Sequence, residues 1–512
     1  MRRAKDIEIA LAPRPEGVSL QQWLYDEIRG AILSGRFAPG SRLPATRDLA
    51  ARYVISRGTV LGVFAQLTAE GYVSGAVGRG SFVATELPER RLTPARRKAP
   101  PRALTREATR TSADAHAEWS PAIPDLSARG RLLARTPFQV QGRAVPALAF
   151  RPSQPDLTAF PFALWSRLAA RRTRRFRTDM LTDGEAQGYG PLREAIAEHV
   201  RTARGIACSG LNVVMLGSVQ QALDLSARLL LDPGDTVLME DPGYPGARFV
   251  FEAAGARIVG APVDADGMDV NWARRHASHA RIAYVTAGRQ APLGPPLALE
   301  RRLALLAWAR EKGALILEDD YDSEFRFAGR PLAALKSLDS DGHVIYCGTF
   351  SKLLFPALRI AYAIVPDRLV DPFVAALSLS ARHVALDQQS ILHAFIAEGH
   401  FGRHIRRMRL LYGERAQALE DALQRHLGGV LDTPGITTGL DTPAFLPLKT
   451  DDTLVAARAA SAGIETRPLS YYAFERPVPP GLVLGFAAVD ADAIGKGVVR
   501  LARVLDAMKL AR

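Results

Sequence analysis

The chain has 512 residues, 47% of them hydrophobic, which excludes a disordered protein and predicts two or three domains rather than one core. Its two cysteines, Cys208 and Cys347, exclude a disulfide framework and a cysteine metal site. Of the net charge of +13, residues 1–145 carry +10, with 23 Lys and Arg against 13 Asp and Glu. This excess predicts a polyanionic partner for the N-terminal third, although a solvated basic surface would give the same count.

The N-terminal segment, MRRAKDIEIALAPRPEG, has no apolar stretch of the kind that a signal peptide carries. No later stretch supplies about 18 uninterrupted apolar residues, the length that a membrane span requires. We therefore expect a cytoplasmic protein with no membrane partner.

The pattern of the N-terminal residues predicts a small module of short helices followed by a hairpin. The spacing of apolar residues predicts a first helix over 20–32. Thr46 is expected to cap a second, short helix and Ser56 a third. The alternating residues 72–83 predict a hairpin with Arg79 at its tip. Two short helices followed by a hairpin are the elements of a winged helix-turn-helix.

In such a module the second helix of the pair enters the major groove with its N-terminal residues leading. The residues expected to contact bases or phosphates are Arg47, Ser56, Arg57, Gly58, Thr59 and Arg79. Each arginine alone is as readily a solvated side chain, and only their coincidence on one surface favours DNA. The runs LPATRDLA at 43–50, ISRGTV at 55–60 and EGY at 70–72 resemble motifs of the GntR-type family. That resemblance implies operator DNA as a partner.

Residues 86–145 contain seven prolines and no sustained hydrophobic period. With 12 Lys and Arg against six Asp and Glu, this stretch predicts a basic, partly disordered linker. The predicted organisation is a winged helix-turn-helix over 18–85, the linker over 86–145 and a large domain over 146–512.

In the large domain, short apolar runs alternate with helical periods. The runs are 213–216, 236–239, 282–285, 314–317 and 344–346. Such runs are typical of buried parallel strands, so we expect an α/β domain with its site at the C-terminal ends of the strands.

Two predicted strand ends carry reactive side chains, Asp319 after one and Lys352 after the next. Pyridoxal phosphate (PLP) requires this pair, because a lysine amine forms a Schiff base with the cofactor aldehyde and a carboxylate faces the pyridine nitrogen. Tyr321, two residues after that acid, can hydrogen-bond the ring hydroxyl. The groups expected to bind the phosphate or to stack on the ring are Ser218, Val219, Gln220, Tyr244, Thr349, Ser351 and Arg359.

Taken singly these motifs are weak, because an acidic run such as 318–324 is usually a solvated loop and a lone Ser-Lys pair carries no meaning. Their order and context resemble the fold type I, aspartate aminotransferase-like enzymes. Joined to a GntR-like head, the chain resembles the MocR subfamily of bacterial regulators. The supporting runs are AFPFALW at 159–165, LDPGD at 231–235, DPGY at 241–244 and GTFSK at 348–352.

The resemblance implies that Lys352 is the Schiff-base lysine, Asp319 the pyridinium partner and Tyr321 the phenol donor. It also implies that Gln290 is a cofactor-binding residue. Because fold type I sites form between subunits, it further implies a homodimer, arranged head-to-tail.

Three positions depart from the family pattern. Arg289 stands where the subfamily has a histidine, and Asp183 where it has a tyrosine that reaches the cofactor phosphate across the dimer. Val483 stands where related aminotransferases have the arginine that binds the substrate carboxylate. Arg467 is a candidate substitute, but strand alternation alone leaves open whether it faces the site. These changes weaken the case for ordinary transamination.

No metal site is predicted. His400 and His404 have the i, i+4 spacing of paired zinc ligands, but Phe401 stands where a metalloprotease has its glutamate, and no third ligand is evident.

The first hypothesis is a PLP-dependent transcriptional regulator that senses an amine, an amino acid or a B6 vitamer through its aminotransferase-like domain. The second is a true aminotransferase with a DNA-binding appendage, which predicts sustained turnover with a keto acid. A third, a regulator that has lost its cofactor, conflicts with the intact Asp319, Tyr321 and Lys352. Whether the domain is an enzyme stays open, since residual half-transamination is compatible with the first hypothesis.

Overall fold

The structure is a computed structural model. It describes residues 11–15, 17–76, 80–85, 87, 125–135, 138, 147–174, 182–329 and 332–510. The chain divides into two compact units, Met1–Ser120 and Pro121–Arg512. Over the described residues, none of the helices combines the length and the apolar character that spanning a membrane demands.

The described part of the N-terminal unit consists of helices and an antiparallel hairpin. Its elements are α1 (Leu20–Leu33), α2 (Thr46–Tyr53), α3 (Arg57–Ala69), β1 (Val73–Ala76) and β2 (Gly80–Val83). Helix α1 packs against α3, and Leu24, Ile28, Val60 and Leu67 lie in the core of this unit. These elements, in this order, confirm the predicted winged helix-turn-helix.

The caps of the two short helices differ from each other. Ser56 caps α3 as predicted, because its hydroxyl accepts a hydrogen bond from the Thr59 amide at 3.0 Å. The prediction that Thr46 caps α2 is wrong: Thr46 is the first helical residue, and Ala45 occupies the cap position without a side-chain bond. The hairpin tip with Arg79 lies outside the described residues.

Most of the predicted linker lies outside the described residues as well. Within it, the structure has a helix that was not predicted, α4 (Ala128–Leu133), whose cap residue Ser127 accepts a hydrogen bond from the Gly130 amide at 3.0 Å. Helix α4 lies against the helix over 245–253 of the same unit. The domain boundaries at 85 and 145 stay predictions.

The C-terminal unit alternates helices and strands. Its described helices are α5 (Phe162–Thr173), α6 (Gly190–Arg204), α7 (Val219–Leu230), α8 (Pro245–Ala253), α9 (Val270–His276), α10 (Leu299–Lys312), α11 (Phe350–Leu353), α12 (Asp367–Ala381), α13 (Leu386–Ala397), α14 (His400–Leu427), α15 (Asp452–Ser461) and α16 (Ala491–Ala507). Its described strands are β3 (Val213–Leu216), β4 (Thr236–Asp241), β5 (Arg257–Asp264), β6 (Gly267–Met268), β7 (Ala280–Val285), β8 (Leu315–Asp320), β9 (Val344–Thr349), β10 (Ala361–Ile364), β11 (Asp441–Phe445), β12 (Arg467–Pro468) and β13 (Gly481–Gly485).

The large sheet has the strand order β3-β10-β9-β8-β7-β4-β5-β6. Its central pairs are parallel, as predicted. The sheet is nevertheless mixed, because β10 is antiparallel to both β3 and β9. The connection from β9 to β10 holds only α11 and one 3-10 turn, too little for a parallel crossover, so the chain returns antiparallel.

Helices cover both faces of this sheet. Val214 and Leu216 of β3 pack in a cluster with α7, α8 and α12, whereas Val213 and Met215 pack in a cluster with α5 and α6. Burial on both faces explains why the strands read as continuous apolar runs.

A smaller antiparallel sheet has the order β11-β13-β12. Leu482 and Leu484 of β13 belong to the domain core. Because side chains alternate along a strand, Val483 between them faces the opposite side of this sheet.

Candidate effector site and DNA-binding surface

The predicted cofactor residues lie at the C-terminal ends of neighbouring strands, where α/β sheets bind ligands. Asp319 lies near the end of β8 and is paired with Cys347 of β9. Lys352 lies in α11, which begins directly after β9. Ser218 and Tyr244 are the N-cap residues of α7 and α8, which follow β3 and β4.

The amine of Lys352 donates a hydrogen bond to the Ser153 carbonyl at 2.6 Å. Burial lowers the pKa of this amine, against the opposing effect of the carboxylates of Asp441, Asp322 and Asp319. A lower pKa increases the fraction of neutral amine, the nucleophilic form that attacks an aldehyde. Lys352 therefore has the surroundings of a covalent anchor.

Asp319 has one satisfied and one unsatisfied carboxylate oxygen. Its Oδ2 accepts a hydrogen bond from the Tyr284 hydroxyl at 2.8 Å. Its Oδ1 is buried and has no hydrogen-bond partner among the described residues. Burial raises the pKa of Asp319 to about 7, although Tyr284 and Lys352 act to lower it. A buried acceptor without a partner is costly, and a protonated ring nitrogen is the donor that would satisfy it.

The contact of Tyr284 with Asp319 was not predicted from the sequence. Residues 282–285 were predicted as a strand, and that strand is present as β7. Its position beside β8 depends on the order of strands in the sheet, which local patterns do not reveal.

Arg289 holds the Tyr321 phenol. The Tyr321 hydroxyl accepts a hydrogen bond from Arg289 Nη1 at 2.9 Å and donates one to the Arg289 carbonyl at 3.2 Å. Burial raises the pKa of Tyr321 well above its usual value, and Arg289 opposes that rise. The residue that replaces the family histidine therefore orients the predicted phenol donor.

Arg289 is itself clamped between two buried carboxylates. Nη1 lies 3.1 Å from Asp322 Oδ2, and Nη2 lies 2.8 Å from Asp441 Oδ1. Asp441 also accepts a hydrogen bond from the Ser153 hydroxyl at 2.8 Å. Since Lys352 donates to the Ser153 carbonyl, Ser153 connects Lys352 to the carboxylates around Arg289. Asp322, Asp441 and Ser153 belong to no local motif with Lys352, and the sequence did not single them out.

Tyr244 adjoins the N-terminus of α7. Gln220 Nε2 donates to the Tyr244 hydroxyl at 3.1 Å, and burial raises the pKa of that phenol to about 12. Ser218 caps α7 by accepting a hydrogen bond from the Gln221 amide at 3.2 Å. The amides of Val219 and Gln220 fall in the first turn, where a helix leaves N–H groups available to an anion.

The three remaining phosphate candidates lie on either side of Lys352. Thr349 ends β9 and caps α11, with its hydroxyl accepting from the Ser351 amide at 3.1 Å. Arg359 is exposed and has a left-handed backbone with φ of 52°. Their contact with a phosphate stays a prediction.

Gln290 is buried, and its side chain binds backbone groups. Its Nε2 donates to the carbonyls of Pro242 and Ala291 at 2.7 and 2.8 Å, and its Oε1 accepts from the Leu293 amide at 2.9 Å. In the described structure this side chain joins the loop before Tyr244 to its own loop. Its predicted contact with a cofactor stays a prediction.

The other two departures are also located. Asp183 is exposed and lies 3.1 Å from Arg382 in an ion pair. Val483 is buried in β13 and is paired with Arg467 of β12. The guanidinium of Arg467 lies over the Tyr471 ring, 5.0 Å from its centroid.

The N-terminus of α3 is exposed, as its predicted role in DNA binding requires. Arg57 and Gly58 are exposed, and Arg47 is exposed in the first turn of α2. Thr59 is half-buried, and its hydroxyl lies 2.9 Å from that of Ser56. Contact of these residues with DNA stays a prediction.

Two further residues lie near these predicted contacts and were not predicted from the sequence. Leu61 is 47% exposed and follows Arg57 by one turn, so it lies on the same helix face. Arg42 lies against Gly80 of the β1–β2 hairpin, since a Cβ atom on Gly80 would lie 3.0 Å from Nε of Arg42. An exposed leucine suits a thymine methyl, and an arginine beside the wing suits a phosphate.

Comparison with known families finds one model for each unit. The model described as "Bacterial regulatory proteins, gntR family" matches residues 20–83. The model described as "Aminotransferase class I and II" matches residues 169–448.

Known proteins resemble the chain over most of its length. It is 37% identical over 486 residues to the probable rhizopine catabolism regulatory protein MocR of Rhizobium meliloti, covering 95% of this chain and 93% of that protein. It is 30% identical to the HTH-type pyridoxine biosynthesis transcriptional regulator PdxR of Corynebacterium glutamicum, covering 99% of each.

Among solved structures, the α-aminoadipate aminotransferase LysN from Thermus thermophilus is similar, with a TM-score of 0.65 at 29% identity. The match covers 71% of this chain and 92% of LysN. The predicted fold type I architecture of the large domain is confirmed.

Proposed function

The chain belongs to the MocR-like regulators of the GntR family, and we propose that it is a PLP-binding transcription factor that senses a small amine at Lys352. One observation carries the proposal. The same chain carries Lys352 and Asp319 at the ends of two neighbouring strands, with one Asp319 oxygen that is buried and has no hydrogen-bond partner among the described residues, and it also exposes the N-terminus of α3 at Arg57.

In the proposed site, each part of the cofactor would have a partner. Lys352 would hold PLP through its amine, Asp319 would accept a hydrogen bond from the ring nitrogen, and Tyr321 would bind the ring hydroxyl. Tyr244 would stack on the ring face. The residues that would bind the phosphate are Ser218, Val219, Gln220, Thr349, Ser351 and Arg359. When bound, PLP supplies an electrophilic carbon for amines and a ring that withdraws electrons. LysN, whose structure contains N-(5'-phosphopyridoxyl)-L-leucine, supports this class of cofactor.

The chain also offers a path from the site to the linker. Tyr244 is the N-cap residue of α8, and α4 of the predicted linker lies against α8. A ligand that moves Tyr244 would therefore shift α8 and with it α4, which belongs to the predicted linker that connects to the winged helix-turn-helix. Such a ligand changes DNA affinity only if it binds two conformations differently.

On the DNA side, Arg57 and Gly58 would lead α3 into the major groove. Arg47, Arg42 and Arg79 would bind phosphates. We further propose a homodimer, arranged head-to-tail, that binds an operator with two half-sites. The symmetry of such a dimer would be matched by the operator.

The test compares the full-length protein with Lys352→Ala and with Lys336→Ala. Lys336 is a matched control because its amine pairs with Asp339 at 2.9 Å and plays no part in the site. We expect PLP to give a visible absorption band in the wild type and in Lys336→Ala but not in Lys352→Ala. An amine that shifts this band should also change operator affinity in the wild type and in Lys336→Ala, but not in Lys352→Ala.

No visible band in the wild type, or a normal band in Lys352→Ala, would overturn the proposal. Sustained turnover with a keto acid would instead favour the aminotransferase with a DNA-binding appendage.

A further inference from the structure

Leu61 lies on the exposed side of α3, one helical turn after Arg57. Its side chain is 47% exposed, whereas its neighbours Val60 and Val63 are fully buried in the core of the module. Packing of the module therefore does not account for a leucine at this position. A single exposed leucine is ordinary on a protein surface, so the meaning of Leu61 depends on what surrounds it on α3.

Apart from Arg57, the polar side chains of α3 are already engaged within the module. They form hydrogen bonds between Thr59 and Ser56 at 2.9 Å, from Gln66 to Glu70 at 3.0 Å and from Thr68 to the Phe64 carbonyl at 2.7 Å. Beyond Arg57, the exposed side of α3 therefore presents Leu61 rather than an uncommitted hydrogen-bonding side chain.

The major groove of DNA offers such a side chain one complementary group. Every base pair presents hydrogen-bonding atoms in this groove, but only thymine presents an apolar group there, its C5 methyl. A leucine over any other base edge would take water from polar atoms without replacing their hydrogen bonds, which is costly. Leu61 therefore favours thymine by contact with its methyl group and disfavours the other bases by desolvation.

We propose that Leu61 is a specificity-determining residue that reads the C5 methyl group of a thymine close to the base that Arg57 contacts. Four residues of helix span about 6 Å, which corresponds to roughly two base-pair steps of about 3.4 Å. The exposed Arg47 and Arg57 at the N-termini of α2 and α3 favour DNA over an apolar protein surface as the partner. The inference rests on the proposed binding of α3 in the major groove.

The test uses a DNA duplex that the PLP-loaded, full-length protein selects from a random pool. Each thymine of a selected half-site is replaced singly by deoxyuridine, which pairs as thymine does but lacks the C5 methyl. Binding is measured for the wild type, Leu61→Ala, Leu61→Met and Leu33→Ala. Leu33 is the control because it is 42% exposed but lies at the end of α1, outside α3.

In the wild type, we expect one thymine of the half-site to weaken binding about 3-fold to 10-fold when it loses its methyl group, the range for one buried methyl-sized contact. This thymine should lie within about three base pairs of the pair at which Arg57→Ala loses its base preference. Leu61→Ala should bind the thymine and uracil duplexes equally, Leu61→Met should retain part of the difference, and Leu33→Ala should behave like the wild type.

A second pair of duplexes separates the methyl group from the other atoms of thymine. At the sensitive position, a cytosine–guanine pair is compared with the same pair carrying 5-methylcytosine, which restores only the C5 methyl. The wild type should bind the methylated duplex more tightly, and Leu61→Ala should bind both alike.

The assignment is overturned if no uracil substitution weakens the wild type, a result that does not depend on how any variant folds. It is also overturned if Leu61→Ala keeps the full uracil penalty, because the methyl group would then act through the shape of the DNA or through another residue. Failure of the proposed DNA-binding function looks different, since the wild type would then select no sequence from the pool.

Discussion

Gly439 and Arg289 fit each other closely: a Cβ atom on Gly439 would lie 2.5 Å from Nε of Arg289. Gly439 also has φ of +90°, a backbone conformation that side chains with a Cβ rarely adopt. Two residues later comes Asp441, which pairs with the same guanidinium. The glycine thus provides the space in which the buried arginine reaches its carboxylates.

Gly439→Ala should therefore destabilise the protein by about 3 kcal/mol, since backbone strain and a steric clash add together. Gly429→Ala is the control, because Gly429 has φ of +81° but a Cβ atom on it would meet no atom of another described residue within 4 Å. It should cost only about 1 kcal/mol of backbone strain. Urea unfolding of both variants measures the difference, and equal losses would contradict the fit.

Replacing Arg289 with methionine should leave two buried carboxylates without their cation. Burial acts to raise the pKa of Asp441, but Arg289 and Ser153 outweigh it and hold that pKa below its usual value. Burial raises the pKa of Asp322 to about 6 even with Arg289 present. Without the arginine both pKa values should rise further, and the loss of stability should be about 3–5 kcal/mol at pH 8.

The pH dependence of the stability loss in Arg289→Met distinguishes the loss of charge pairing from a loss of packing. Protonation of Asp322 and Asp441 removes the unpaired charges, so the deficit of Arg289→Met should shrink as the pH falls from 8 toward 5. Unfolding midpoints of the variant and the wild type across this range measure it. A deficit that is constant with pH would mean that Arg289 acts by packing alone.

The sequence was sufficient for features that local chemistry determines. The cap at Ser56, the strand ends at Asp319 and Lys352 and the exposed Arg57 follow from spacing and residue type. The contacts of Tyr284, Asp441 and Ser153 do not, because they depend on strand order and on segments far apart in the chain. The direction of Arg467 was left open for the same reason, since it requires the register of β12 against β13.

Asp319→Asn should stabilise the cofactor-free protein at alkaline pH. Burial raises the pKa of Asp319 to about 7 in the folded state, above its unfolded value. Its contribution to stability is therefore fully present below about pH 4 and is lost as the pH rises through about 7. Asparagine cannot ionise, so its advantage should grow to on the order of 2 kcal/mol at pH 8.

The same substitution should have the opposite effect once PLP is present. Asparagine does not offer a carboxylate to the ring nitrogen, so PLP should raise the unfolding midpoint of the wild type more than that of Asp319→Asn. The two effects are measured on the same samples, with and without PLP. An asparagine variant that is less stable than the cofactor-free wild type at pH 8 would contradict the assigned pKa.

Arg57 and Arg47 should differ in what they contribute to DNA binding. Arg57 begins α3, so Arg57→Ala should cost about 1–3 kcal/mol on the operator and much less on unrelated DNA. Arg47→Ala should weaken both DNAs alike and reduce the slope of log affinity against log salt by about 0.9, the value for one phosphate contact. Arg129→Ala removes one charge from α4, outside the head, and controls for net charge. If all three variants weaken both DNAs equally, α3 does not read bases through Arg57.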